Sequence, residues 1–68
     1  MTHTEFKQHR NALGLSVNQM ALVLGCSPVH VRRMEQDPSV ESSRPVNPQV
    51  ERLVKAYLEG YRPKDWPL

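Results

Sequence analysis

The sequence has few of the residues that stabilise very small domains by cross-linking. It contains one cysteine, Cys26, so no intramolecular disulfide framework can form. No spacing of cysteine and histidine resembles a structural zinc site, and we expect no metal. A chain of 68 residues buries only roughly 60% of its unfolded surface. Its stability must therefore come from helix packing or from a second copy of the chain.

Long hydrophobic runs are also absent. A membrane-spanning helix needs about 20 apolar residues, and the polar start MTHTEFKQHR has no signal-peptide core. We therefore expect a cytoplasmic protein with no membrane partner. The sequence shows no paired acids, activated nucleophile or metal cluster, so we expect neither an enzyme nor a cofactor, and no small-molecule substrate is evident. A formal net charge of +2 and a pI near 9.0 are compatible with a nucleic-acid partner without requiring one.

The first two helices are predicted by reciprocal capping pairs. Thr2 and Glu5 have the spacing of a capping box, and the helix they start is expected over roughly His3 to Leu13. Ser16 and Gln19 repeat the pattern for a second helix. Its apolar residues recur at positions i, i+3, i+4 and i+7, which predicts a short amphipathic helix.

The third helix follows the second after a very short turn. Gly25 and one further residue precede Ser27, which can cap a helix whose first position is Pro28. Two helices joined by so tight a glycine turn must cross steeply and share one small core. The segment at about 16–36 therefore has the pattern of a helix-turn-helix, with its second helix at 27–36.

The remainder of the chain is predicted as a loop, a fourth helix and a tail. The loop DPSVESSRPVNP is rich in proline and serine and lacks a helical period. Asn47 and Pro48 start the fourth helix, which ends near Gly60. Residues 61–68 include two prolines and cannot be helical throughout. We therefore expect one domain over 1–60 followed by an irregular tail.

The third helix is expected to have two different faces. At about 100° per residue, Val31 and Met34 share the side that would pack on a core. Val29, Arg33 and Gln36 lie on the opposite side. This combination suits the major groove of DNA, where arginine binds guanine, an amide pairs with adenine and an apolar group contacts the thymine methyl. Taken alone, one exposed valine and two arginines are better explained as ordinary protein surface.

The segment GLSVNQMALVLGCSPVHVRRMEQ resembles the helix-turn-helix of the lambda-repressor-like, Cro-type family of DNA-binding proteins. Ala21 lies where the two helices would meet, Gly25 lies in the turn, and Val31 lies in the recognition helix. The resemblance implies an all-α fold, a compact domain of four helices. Many members of the family have a fifth helix that helps form the dimer, and whether this chain has one is left open.

The resemblance also implies roles for individual residues. The positions expected to read bases are Ser27, Pro28, Val29, Arg33 and Gln36. Those expected to contact the DNA backbone are Asn18, Gln19, His30, Arg32 and Arg44. Arg10 and Glu35 match a pair that forms a salt bridge between the first and third helices in the family. Val17 departs from the pattern, because the family often has a glutamine there that contacts the backbone.

Two functions follow as expectations. The first is a transcriptional regulator, a repressor or autoregulator that binds an inverted repeat in double-stranded DNA as a homodimer. Its small size would suit a phage or mobile-element regulator, including the kind found beside anti-CRISPR genes. The second is a protein-interaction adaptor or antitoxin-like module that uses helix four and the aromatic residues Tyr57, Tyr61 and Trp66. Trp66 could equally fold back over the core.

Overall fold

The computed structural model describes residues 1–64 and 66. Over these residues the chain forms four helices and no strand: α1 His3–Ala12, α2 Val17–Leu24, α3 Pro28–Glu35 and α4 Pro48–Leu58. The predicted all-α class is therefore confirmed. None of these helices combines the length and the apolar character needed to cross a bilayer.

The four helices begin where the capping residues predict. In each case a side-chain oxygen of the preceding residue accepts a hydrogen bond from a backbone N–H in the first turn; these residues are Thr2, Ser16, Ser27 and Asn47. Glu5 and Gln19 return the bond to the backbone and complete the two capping boxes. Because these contacts lie within three residues of sequence, each helix start follows from its local sequence.

The first two helices end close to a glycine with a positive φ angle. Helix α1 ends at Ala12, one residue before the predicted Leu13, because Leu13 forms the cap and Gly14 follows with φ 71°. Gly25 caps α2 with φ 72°, a backbone conformation that costs glycine little. The chain then needs only residues 25–27 to turn from α2 into α3, and the two helices pack against each other.

The core is small and is built from all four helices and from Leu15 in the turn between α1 and α2. Its buried side chains are Phe6, Leu15, Met20, Ala21, Val31, Met34, Val54 and Tyr57. No charged or polar side chain among the described residues is buried. Helix α3 contacts both α1 and α2. The Tyr57 hydroxyl donates a hydrogen bond to the Val23 carbonyl at 2.7 Å, and this bond connects α4 to α2.

Part of the predicted tail packs on the domain. Trp66 is half-buried against the core, and its ring is tilted against that of Tyr57 with 4.7 Å between centroids. The Arg62 guanidinium lies 4.5 Å from the centre of the Trp66 ring. Tyr61, in contrast, is 55% exposed. Trp66 thus covers the core; the remaining positions of the tail, 65, 67 and 68, lie outside the described residues.

Candidate nucleic-acid interface

Helix α3 has one face in the core and one face in solvent. Val31 and Met34 have no exposed surface, whereas Val29 is 52% exposed. The exposed valine lies only two positions from the buried one, so its exposure results from the orientation of the helix. The predicted division into two faces is confirmed for these residues and for the exposed Arg33. It is wrong for Gln36, which lies one residue beyond α3 as a half-buried cap with an extended backbone.

Two arginines flank the exposed valine and carry charges that the fold does not neutralise. Arg32 and Arg33 are both exposed. Among residues 1–64 and 66, neither guanidinium has a hydrogen-bond or ion-pair partner. Arginine has five N–H donors in a fixed plane, so both side chains can bind an acceptor outside the protein. The solvent face of α3 therefore presents one exposed apolar side chain and two guanidinium groups that the fold does not neutralise.

An ion pair between α1 and α3 holds the C-terminal end of α3. The Nε atom of Arg10 donates to Glu35 Oε2 at 2.6 Å, and Nη2 donates to Oε1 at 3.2 Å. The Nη1 atom of Arg10 donates to the carbonyl of Leu15 at 3.0 Å. The two charged side chains are only 12% and 10% exposed. The pair expected from the family resemblance is present, and it fixes α3 relative to both α1 and the start of α2.

The loop after α3 binds the end of that helix at several points. The Ser43 hydroxyl donates to the Gln36 carbonyl at 2.9 Å, and the Arg44 backbone N–H donates to the Arg33 carbonyl at 3.0 Å. The Arg33 carbonyl also accepts the Gln36 backbone N–H at 3.4 Å, so the loop adds a second bond at the C-terminal end of the helix. The Ser42 hydroxyl donates to Oε1 of the Gln36 side chain at 2.7 Å. Sequence reasoning missed these contacts; the only signal was the pair of serines.

Arg44 is held at the same end of α3, and some of its guanidinium N–H groups make no hydrogen bond to the described residues. Its Nη1 atom donates to the carbonyls of Ser43 at 2.8 Å and Glu41 at 3.3 Å. The side chain is exposed, and its remaining N–H groups have no partner among the described residues. The loop therefore anchors the backbone of a third unneutralised arginine at the end of α3; its contact with phosphate stays a prediction.

The other predicted base-reading positions lie at the two ends of α3. The Ser27 side chain accepts the His30 backbone N–H at 3.2 Å, so this hydroxyl serves as the helix cap. Pro28 is half-buried at the first helical position. Gln36 is half-buried at the opposite end, where its side chain bonds to the loop. The central part of the exposed face is thus formed by Val29 and Arg33.

The remaining predicted backbone contacts differ in how free their side chains are. Asn18 is exposed in the first turn of α2. The Gln19 amide oxygen accepts the Ser16 backbone N–H at 2.9 Å, so that oxygen acts in capping. His30 is half-buried and lines a cleft that Asn47 and other residues at the start of α4 complete. Asn18 is therefore the most accessible of these three side chains.

No group of three or more histidine, cysteine, aspartate or glutamate side chains that could hold a metal ion occurs in the described part of the chain. Cys26 is half-buried in the turn before α3, and burial raises the pKa of its thiol. A raised pKa keeps the thiol protonated, which disfavours its reaction as a nucleophile.

A cleft of about 480 Å³ beside Met34 has a largely apolar lining that includes Pro38 and Val46. Free donors occur on Arg32, Arg33 and Arg44 beside α3, and also on the exposed Lys7 and Arg52 of α1 and α4.

Comparison of this chain with protein-family models, curated proteins and solved structures finds no match.

Proposed function

We propose that this protein binds DNA sequence-specifically through a helix-turn-helix in a lambda-repressor-like, Cro-type domain. The observation that supports this most directly is the solvent face of α3. Val29 is 52% exposed beside the partnerless guanidinium of Arg33, on a helix held by core packing and by the Arg10 and Glu35 pair. A rigid helix with an apolar and cationic outer face matches what the major groove requires.

In this proposal α3 enters the major groove. Arg33 binds the O6 and N7 atoms of guanine, and Val29 contacts a thymine methyl. Arg32, at the edge of the face, binds phosphate, and Arg44 binds a second phosphate beyond the end of α3. The division between base and backbone contacts is supported by position, because Val29 and Arg33 are four residues apart and lie on one side of the helix.

We further propose that the protein is a repressor or autoregulator that acts by occupying its operator. A homodimer would place two copies of α3 in successive major grooves about 34 Å apart, on an inverted repeat. Leu58, 40% exposed, and Tyr61, 55% exposed, are apolar side chains near the end of α4 that a second copy could cover. The same two side chains favour the second candidate function, a protein-interaction adaptor, because both lie on the surface that such a partner would use.

Selection of bound duplexes from a random DNA pool tests the proposal. We expect a symmetric enriched site, a solution mass of two chains on that site, and an affinity that falls steeply as salt concentration rises. An adaptor would enrich no sequence and would bind its partner with little dependence on salt. The absence of any enriched sequence would contradict DNA recognition by this chain.

A pair of charge-matched variants sharpens this experiment. Arg32→Ala with Arg33→Ala removes two charges from the solvent face of α3, and Lys7→Ala with Arg52→Ala removes two exposed charges from α1 and α4. Both variants lose the same charge from a chain of formal net charge +2. We expect the first to abolish selective binding and the second to retain it. Equal losses would mean that net charge, and not the face of α3, determines binding.

A further inference from the structure

The cleft of about 480 Å³ beside Met34 lies between the start of α1, the end of α3 and the loop that follows α3. Its volume is within the range of pockets that bind small molecules. Most of its lining is apolar and comes from Met1, Met34, Pro38, Pro45 and Val46. The proposed DNA contacts use none of these five residues. A ligand that fits this cleft must therefore have an apolar part.

The polar groups that line the cleft favour a negatively charged ligand. The Thr2 hydroxyl oxygen caps α1, the Ser43 hydroxyl donates to a carbonyl at the end of α3, and His3 Nε2 lies 3.1 Å from a neighbouring hydroxyl. None of the described residues that line the cleft is acidic, and Arg44 adds a permanent positive charge. The carboxylate of Asp37, next to the lining in sequence, accepts a backbone N–H of its own turn at 2.8 Å.

The guanidinium of Arg44 has one edge free to bind a carboxylate. Its Nη1 atom donates to the carbonyls of Glu41 and Ser43 at 3.3 and 2.8 Å, whereas Nε and Nη2 have no partner in the part of the chain that the structure describes. Nε and Nη2 are also the atoms with which Arg10 binds the Glu35 carboxylate. Arg44 can therefore hold a carboxylate by two parallel, charge-assisted hydrogen bonds.

The walls of the cleft are fixed by contacts that a ligand would leave in place. The ammonium group of Met1 pairs with Glu51 of α4 at 2.9 Å, and the Met1 side chain is only 2% exposed. On the opposite wall, the Arg44 backbone N–H donates to the Arg33 carbonyl at 3.0 Å. Because the site is assembled before a ligand arrives, little binding energy is needed to order it.

We propose that this cleft binds a small amphipathic carboxylate, with its apolar part against Met34 and Val46 and its carboxylate on Arg44. This binding is independent of the proposed function. A consequence for DNA rests on the proposed function, in which Arg44 also binds phosphate. A carboxylate on Arg44 occupies the donors that the phosphate needs, so the two ligands exclude each other and the carboxylate lowers the affinity for DNA.

The three methionines allow a test in the full-length protein. Met1 and Met34 line the cleft, whereas Met20 is buried and does not line it. The methyl signals of isotope-labelled methionine are followed by NMR during titration with octanoate and are assigned with Met20→Leu and Met34→Leu. We expect the Met1 and Met34 signals to shift and the Met20 signal to stay in place. No shift at all, or an equal shift of Met20, would overturn the inference.

Matched ligands and variants test the role of the charge. Octanol has the apolar chain without the carboxylate, acetate has the carboxylate without the chain, and both should bind more weakly than octanoate. Arg44→Gln should weaken octanoate binding by roughly fivefold. Arg52→Gln removes an exposed charge outside the cleft and should leave it unchanged. Equal affinity for octanol and octanoate, or equal affinity of the two variants for octanoate, would show that Arg44 holds no carboxylate.

Competition with DNA is measured separately, on the selected duplex and at constant ionic strength. Octanoate should lower the DNA affinity of wild type, and acetate at the same concentration should not. If octanoate shifts the methionine signals but leaves DNA affinity unchanged, the competition for Arg44 is wrong. If wild type selects no sequence, the proposed function fails, and the NMR titration still decides whether the cleft binds the carboxylate.

Discussion

Arg10 on α1 binds Glu35 on α3 through two parallel hydrogen bonds, of 2.6 Å from Nε and 3.2 Å from Nη2. The two side chains are 12% and 10% exposed, so removal of one leaves the other charge largely desolvated. We expect Glu35→Ala to lower the free energy of unfolding by roughly 3 kcal/mol, measured by denaturant titration. Lys55→Ala, which breaks an exposed pair with Glu51, is the control and should change stability little. Equal changes in the free energy of unfolding in the two variants would show that the pair of Arg10 and Glu35 stabilises the fold no more than an exposed ion pair does.

The two valines of α3 are expected to separate stability from recognition. Val31→Ala removes two methyl groups from a site with no exposed surface and should cost roughly 2 kcal/mol of unfolding free energy. Val29→Ala, at a 52% exposed site, should change stability by less than about 0.5 kcal/mol and should weaken discrimination for thymine. Thermal melts and competition binding measure the two effects. A loss of stability in Val29→Ala as large as that in Val31→Ala would contradict the assignment of the faces.

The two adjacent arginines are expected to differ in what their loss does to DNA binding. Arg33→Ala should keep the fold and reduce discrimination at one base pair by roughly 1–3 kcal/mol. Arg32→Ala should weaken binding to all sequences about equally and reduce the salt dependence by about one counterion. Binding isotherms on the selected site and on single-base variants, at several salt concentrations, measure both. A uniform loss on all sequences in Arg33→Ala would assign that side chain to a phosphate.

Acidification should weaken the start of α1. The backbone N–H of Thr2, followed by its side chain, lowers the pKa of the Glu5 carboxyl below its ordinary value of 4.5. A group whose pKa is lower in the folded state stabilises the fold above its unfolded pKa, and this contribution is lost as the pH falls through the folded pKa. Glu51, bonded to the N-terminal ammonium, and Asp37, bonded to the Ser39 N–H, shift in the same direction.

The melting temperature should therefore be flat near neutral pH and should fall as the pH drops below about 4.5. Glu5→Gln retains an oxygen that can accept the Thr2 N–H but cannot titrate, so its melting temperature should depend less on pH over this range. Thermal melts of both proteins at a series of pH values measure this difference. Parallel curves would exclude Glu5 as a source of the acid sensitivity.

Most of the helical framework could be predicted from the sequence because its signals are local. Each helix start is a polar cap bonded within three residues. The two faces of α3 follow from the angle between successive residues, which placed Val29 outside and Val31 inside. The pairing of Arg10 with Glu35 came from family resemblance, because no local pattern connects residues 25 positions apart.

The contacts of the loop, of Tyr57 and of the tail could not be derived from local sequence patterns, because each joins residues far apart in the chain. The bond from the Arg44 N–H to the Arg33 carbonyl depends on the path of the loop, which has no periodicity to reveal it. The Tyr57 hydroxyl reaches Val23 across 34 positions, and the folding back of Trp66 depends on the space that the core leaves open. The DNA-binding roles of the α3 side chains stay predictions.

All three glycines of the chain lie within two residues of the ends of α1, α2 and α4, each with a positive φ. The segment 36–47 between α3 and α4 therefore contains no glycine, and it contains Pro38 and Pro45. Such a segment has fewer conformations to lose when a ligand binds. If Arg44 meets phosphate, it does so from a surface that is already assembled. Little of the interaction energy should then go into ordering the loop, and association should be fast for so small a protein.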